Sequence, residues 1–110
     1  MGKKKCYQCG LVDSIHVADE GRSRLVFAFG PKDADGLQMY FVYCRGCQHI
    51  TVLKPGWFGN AKFSQLIDPR GVWAAYEAGL MSREDLRVFA PRLQIAMVAD
   101  GIFAEDWEIG

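Results

Sequence analysis

The sequence predicts an α+β protein, with an antiparallel β half over residues 1–55 and a small helical part over residues 56–110, packed together as one compact unit. Three observations predict it. Apolar residues alternate with period two up to Pro55-Gly56, the mark of strands. After Val72 they recur every three or four positions, between signals that start and stop helices. All four cysteines stand in two Cys-x-x-Cys hooks, Cys6-Tyr7-Gln8-Cys9 and Cys44-Arg45-Gly46-Cys47, one near each end of the β half.

The elements follow in order. Leu11 to Ala18, with Val12, Ile15, His16 and Val17, reads as an irregular strand that ends at the turn Asp19-Glu20-Gly21. From Arg24 to Phe29 the alternation is regular: Leu25, Phe27 and Phe29 share one side, Arg24, Val26 and Ala28 the other. Gly30 to Gly36 is dense in turn formers and predicts a loop. Leu37 to Tyr43 is the clearest strand, with Leu37, Met39, Phe41 and Tyr43 on one face, and it runs directly into the second hook. Ile50 to Leu53 is a short β-branched strand stopped by Pro55-Gly56. Ala61 to Ile67 reads as a short helix before Asp68-Pro69. Val72, Trp73, Tyr76 and Leu80 then follow helical spacing, and Gly79 supplies a C-terminal stop. Ser82 with Asp85 has the form of a capping box. Leu86, Phe89, Leu93 and Met97 continue the stripe, which Pro91 either kinks or restarts. Asp100-Gly101 fits the end of a helix near Ala99, and also a tight turn between two strands; Leu93, Ala96 and Met97 favour the helix.

Composition sets the bounds. Half of the 110 residues are hydrophobic, including seven Phe, four Tyr and three Trp, which is enough for a core and argues against disorder. No run approaches the ~20 apolar residues of a membrane helix, and no apolar stretch of a secretory signal follows Lys3-Lys4-Lys5. The expected compartment is the cytoplasm, with no membrane partner. Net charge is zero, yet residues 1–55 hold eight Lys/Arg against five Asp/Glu and residues 56–110 the reverse excess, five against eight. Such a balance disfavours a dedicated nucleic-acid binder.

Two complete hooks offer four thiolates, a set that closes round one tetrahedral ion, and zinc is its commonest occupant. Iron fits the same donors. A redox dithiol would use a single pair at a helix N-terminus, and no histidine follows either pair as haem attachment requires. Cys6-x-x-Cys9-Gly10 and Cys44-x-x-Cys47, with strands between them, resemble the double knuckle of the zinc-ribbon, or rubredoxin-like, superfamily over residues 3–53. The resemblance implies a zinc-ribbon sheet, with Cys6, Cys9, Cys44 and Cys47 as ligands fastening the front half of the chain. Gln48 departs from it by standing where glycine is common, and Gly46 is expected to ease that turn instead.

The remaining motifs weigh less. His49 reads as a neighbour of the centre and His16 as structural, and no nucleophile has a histidine-and-aspartate context. Asp33-Ala34-Asp35-Gly36 lacks the outer ligands of a calcium loop and reads as a turn. Ala75 to Leu86 looks like a helix hairpin whose Glu84 and Asp85 would repel phosphate. Trp57 and Phe58, between glycines, are candidates to contact a partner. Lys3, Lys4, Lys5 and Arg45 are candidates to touch phosphate. The expected role is a non-enzymatic zinc-binding adaptor or regulator with a protein partner. The alternatives are a nucleic-acid-binding regulator of transcription or translation, which the zinc-ribbon resemblance implies, and a rubredoxin-like iron electron carrier.

Overall fold

The computed structural model describes residues 3–14, 24–56 and 60–110. Among them the chain forms, in order, β1 (Lys3–Lys5), β2 (Val12–Ser14), β3 (Leu25–Lys32), β4 (Gln38–Cys44), β5 (His49–Pro55), β6 (Ala61–Ile67), α1 (Pro69–Glu77), α2 (Arg83–Leu86) and α3 (Pro91–Ala99). The fold is α+β, strands first: β1 and β2 make a two-stranded antiparallel sheet, and β3-β4-β5-β6 a four-stranded antiparallel meander.

The register explains the burial. Val26, Tyr43, Ile50 and Ile67 line up across the four strands, and Ala28, Phe41 and Val52 form the next row on the same face. This inner face meets Leu86, Phe89, Leu93, Ala96, Met97, Ile102, Phe103 and Trp107 in the main core. Trp73 joins it by stacking on Phe103, with ring centroids 5.0 Å apart. The opposite face carries Leu25, Phe27, Tyr40, Val42 and Leu53, which form a second, smaller cluster with Cys6 and Cys44. Strands this apolar on both faces are covered on both near the cysteines, by helices on one side and the β1–β2 hairpin on the other, while Phe29 and Phe63 stay exposed farther along the outer face.

The Arg24–Phe29 alternation is present, and Val26 and Ala28 are the residues that meet the helices. Of the face predicted for Leu37, Met39, Phe41 and Tyr43, the last three pack in that core, whereas Leu37 lies before β4 and is exposed. Ala61 to Ile67 is a correction: it is a strand, not a helix. Seven residues gain little from an isolated helical turn, whereas β5 offers a full edge of backbone donors and acceptors. The sheet therefore runs on to Ile67, past the Pro55-Gly56 stop. Lys3–Lys5 is a strand that alternation could not indicate, because its pairing partner lies across the first hook. Of the strand expected over Leu11 to Ala18, Val12–Ser14 is β2; His16 and the turn Asp19-Glu20-Gly21 lie outside the described residues.

Helix ends follow their local signals. Asp68 caps α1 by accepting from the Arg70 backbone N–H at 3.1 Å, so the helix begins at Pro69, earlier than Val72. Gly79 (φ +78°) ends it, with Leu80 N–H donating back to Ala75 O at 2.9 Å. Ser82 and Asp85 make the reciprocal capping box. Pro91 opens α3 as a new helix, and Gly101 closes it while Ile102 N–H returns to Met97 O at 2.8 Å. That resolves Asp100-Gly101 as a helix end.

Candidate metal centre

Each hook is the turn of a β-hairpin. Cys6 to Leu11 joins β1 to β2, closed by Cys6 N–H to Leu11 O at 2.8 Å and Gly10 N–H to Cys6 O at 2.9 Å. Cys44 and His49 are register partners at the end of β4–β5, and Gln48 N–H donates to Cys44 O at 2.8 Å. The residue after the second cysteine is left-handed in both: Gly10 at φ +81° and Gln48 at φ 60°. This corrects one expectation. Gly46 is not among the positive-φ glycines, and Gln48 itself turns the chain.

The turns place amides around sulfur in matching ways. Leu11 N–H points at the Cys9 sulfur and His49 N–H at that of Cys47, each two residues on. Cys44 faces the amides of Cys47 and Gly46. The hooks interleave: Cys6 Sγ lies 3.4 Å from Cys47 Sγ, and Cys9 Sγ lies 3.8 Å from Cys44 Sγ. All four sulfurs fall within 4.8 Å of one another, and all four cysteines are free of disulfides. An ion bound tetrahedrally at ~2.3 Å from each sulfur spaces its ligands about 3.8 Å apart, so the donor set fits a zinc- or iron-sized ion. Such a sphere is filled by the protein alone.

The thiols differ in their surroundings. Burial pushes the Cys44 and Cys47 thiols up from their usual range, because desolvation disfavours a lone thiolate there. The Leu11 amide holds the exposed Cys9 thiol down. Cys6, Cys9, Cys44 and Cys47 would hold a dication here, and its charge would favour the thiolate form of each.

The centre is anchored on both sides. Tyr7 N–H donates to the fully buried Thr51 Oγ1 at 3.0 Å, tying the first hook to β5. On the second hook, Gln48 Oε1 accepts from Arg70 Nη2 at 2.6 Å and Nε at 2.9 Å, while its Nε2 reaches Asp100 O at 3.4 Å. Arg45 Nη2 donates to Asp100 Oδ1 at 2.7 Å, and Tyr43 Oη donates to Asp100 Oδ2 at 2.7 Å. The knuckle is thus joined to α1 and to the end of α3. Burial alone would raise the Asp100 carboxyl, but the Arg45 and Tyr43 hydrogen bonds outweigh it and hold the group below its ordinary range.

The other predicted residues are distributed as follows. Cys6, Cys9, Cys44 and Cys47 converge, and among the described residues no other group of three or more metal-binding side chains does so. His49 turns Nδ1 to Cys47 O at 3.0 Å, beside the centre. Arg45 is engaged by Asp100. Lys4 Nζ stands 5.6 Å over the Phe27 ring and Lys5 Nζ 5.2 Å over Tyr7. The Lys3 side chain, Trp57 and Phe58 lie outside what is described. Asp33 is a turn residue whose Oδ1 accepts from Asp35 and Leu37 N–H. Arg83 pairs with Glu108 at 3.4 Å and lies over Trp107. Sequence reasoning missed the roles of Thr51 and Gln94, polar residues buried in the fold, and of Asp100, which is partly buried against Arg45 and Tyr43. Asp100 follows an apolar stripe at a helix end, where a carboxylate opposes the helix dipole and so calls for a cationic partner.

Comparison with protein-family models, with curated proteins and with solved structures returns no match to this chain, so the knuckle geometry alone carries the zinc-ribbon likeness.

Proposed function

We propose that the chain is a cytoplasmic, non-enzymatic binding module in which a four-cysteine zinc centre is structural and a rigid protein surface does the recognition, as in an adaptor or regulator. One observation carries this reading: four sulfurs from two hairpin turns lie within 4.8 Å of one another, close enough to share one ion. A zinc ion so enclosed keeps no position for the water or substrate that hydrolytic zinc needs. Its contribution is to stability, in amounts comparable to the whole free energy of a small domain. Cys6, Cys9, Cys44 and Cys47 would hold the ion. Gln48, Arg45, Thr51 and the surrounding amides fix the hooks that present them.

The proposed partner is a macromolecule. Net charge favoured a protein, with Trp57 and Phe58 as contacts. Nucleic acid is the second reading, and what favours it is the sheet itself, whose strands carry only basic charge although both signs occur in each half of the chain. The strands β3 to β6 contain no Asp or Glu and three Lys, while residues 68–110 hold all eight carboxylates of the second half.

Metal analysis of the purified chain tests the core of the proposal. One zinc per chain in a colourless protein is expected. A red, reducible sample would establish an iron electron carrier instead. Metal-free folded protein, or cystines within the hooks, would overturn the reading.

A further inference from the structure

The sheet face opposite the helices is an aromatic platform open toward solvent at its distal end. Phe29, Tyr40, Leu53 and Phe63 are cross-strand partners in a single row over all four strands. Three interstrand spacings make that row ~14 Å long. Phe27 stands beside it, with Phe27, Phe29 and Tyr40 centroids 5.6–5.7 Å apart. At the other end Tyr7, from the first hook, stacks on Phe63 at 4.6 Å and 20°. Three of these rings are largely open, Phe29 at 62% exposed, Tyr7 at 45% and Phe63 at 40%, while Phe27 and Tyr40 also pack against the smaller cluster. A groove of about 370 Å³ is lined by Lys4, Phe27, Phe29, Tyr40, Pro55 and Ala61.

Charge identifies the occupant. Lys4 and Lys5 hold ammonium groups over ring faces of this platform. Lys32, Lys54 and Lys62 lie at the end of the sheet away from the cysteines, Lys54 being 4.0 Å from Asp33. The four strands contribute no carboxylate. The carboxylates nearest these lysines are Asp13, opposite Lys4 in register on the β1–β2 hairpin, and Asp33, in the turn after β3. A ligand suited to this face carries flat π-surfaces for the rings and anionic groups for the lysines. Duplex nucleic acid hides its base faces, while a single strand exposes them.

We propose that the outer face of β3–β6, closed at one end by Tyr7 of the metal-bound hook, binds single-stranded nucleic acid by stacking bases on Phe29, Tyr40 and Phe63 with Lys4 and Lys5 on the phosphates. The row is long enough for two or three bases. This deepens the binding-module reading by naming its partner and surface, and rests on it. It also gives the metal a second role: the ion fixes the hook that carries Tyr7 onto the platform.

The test uses the full metal-loaded chain and a fluorescent oligothymidylate of about 12 nucleotides. The single strand should bind at low salt at least tenfold tighter than the same length of duplex. Phe29→Ala and Tyr40→Ala should each weaken it about tenfold, within the usual worth of one stacked base. Phe29 is exposed, so its variant should keep its melting temperature and metal content. Lys5→Gln should flatten the salt dependence by about 0.7 in the log–log slope. Unchanged affinity in both aromatic variants, or equal binding of duplex and single strand, would overturn the platform. Loss of binding to every nucleic acid alongside capture of a proline-rich or acidic peptide would do the same. In each of those outcomes one zinc per chain would leave the structural-metal module standing, whereas a chain without stoichiometric metal would fail the module itself.

Discussion

Gln48 is held in left-handed backbone at φ 60°, a conformation that disfavours a side chain by about 1–2 kcal/mol. Its amide offsets that with hydrogen bonds to Arg70 and toward Asp100. Gln48→Ala keeps the strain and loses the bonds, and should lower unfolding stability by about 1–2 kcal/mol. Gln48→Gly relieves the strain and should lose less. Denaturant melts of the metal-loaded variants decide this, and an alanine variant as stable as the glycine one would refute it. Asp100 is the second such residue. Its carboxyl is held below the ordinary range, so the unfolded chain takes up this proton more readily than the folded one. The stabilisation is complete above the unfolded value and is lost as pH falls through the folded one. Asp100→Asn should therefore lower the melting temperature most near neutral pH. The gap from the parent should close at pH below the ordinary carboxylate range. A gap that stays constant with pH would show that Asp100 acts by shape alone.

Helix α3 shows how an element can be legible while its anchor is not. Leu93, Ala96 and Met97 mark its buried stripe in the sequence and are buried in the fold. Gln94, beside them, is fully buried as well. It accepts from Trp107 Nε1 at 2.8 Å and donates to Phe89 O and Gly110 O, pinning the C-terminal segment to the helix. Gln94→Leu should cost about 1–3 kcal/mol by leaving the Trp107 N–H and two carbonyls without a partner. Tryptophan fluorescence would report the loosened indole, and an unchanged melt would contradict the account. The strand β6 shows the opposite case. Its seven residues carry no decisive periodicity, and only the free edge of β5 makes them a strand. Caps and stops at Gly79, Ser82, Pro91 and Gly101 were readable because they act through neighbours in sequence, whereas the Asp68 cap was hidden by reading the residues before it as a helix.

At the scale of the molecule, two clusters divide the work. The inner core of sheet and helices contains none of the four cysteines, whereas the outer one includes Cys6 and Cys44 and is packed by Cys47. Metal loss should therefore release the β1–β2 hairpin and the second knuckle first and spare the helical core, a narrower effect than unfolding of all residues 3–53. Hydrogen exchange after chelation should show lost protection at Cys6, Gly10 and Gln48, with Leu93 to Met97 still protected. Equal loss throughout would mean the two layers unfold as one. The sequence by itself determined the four cysteines of the candidate metal site, the strand-then-helix order and most helix ends, because each depends on residue type or on spacing along the chain. Tertiary structure decided that β6 joins the sheet, that Gln48 turns the second hook, and that Arg45 belongs to Asp100. It also aligned Phe29, Tyr40 and Phe63 across separate strands. Those outcomes depend on cross-strand register and on contacts between distant segments, which no local pattern encodes.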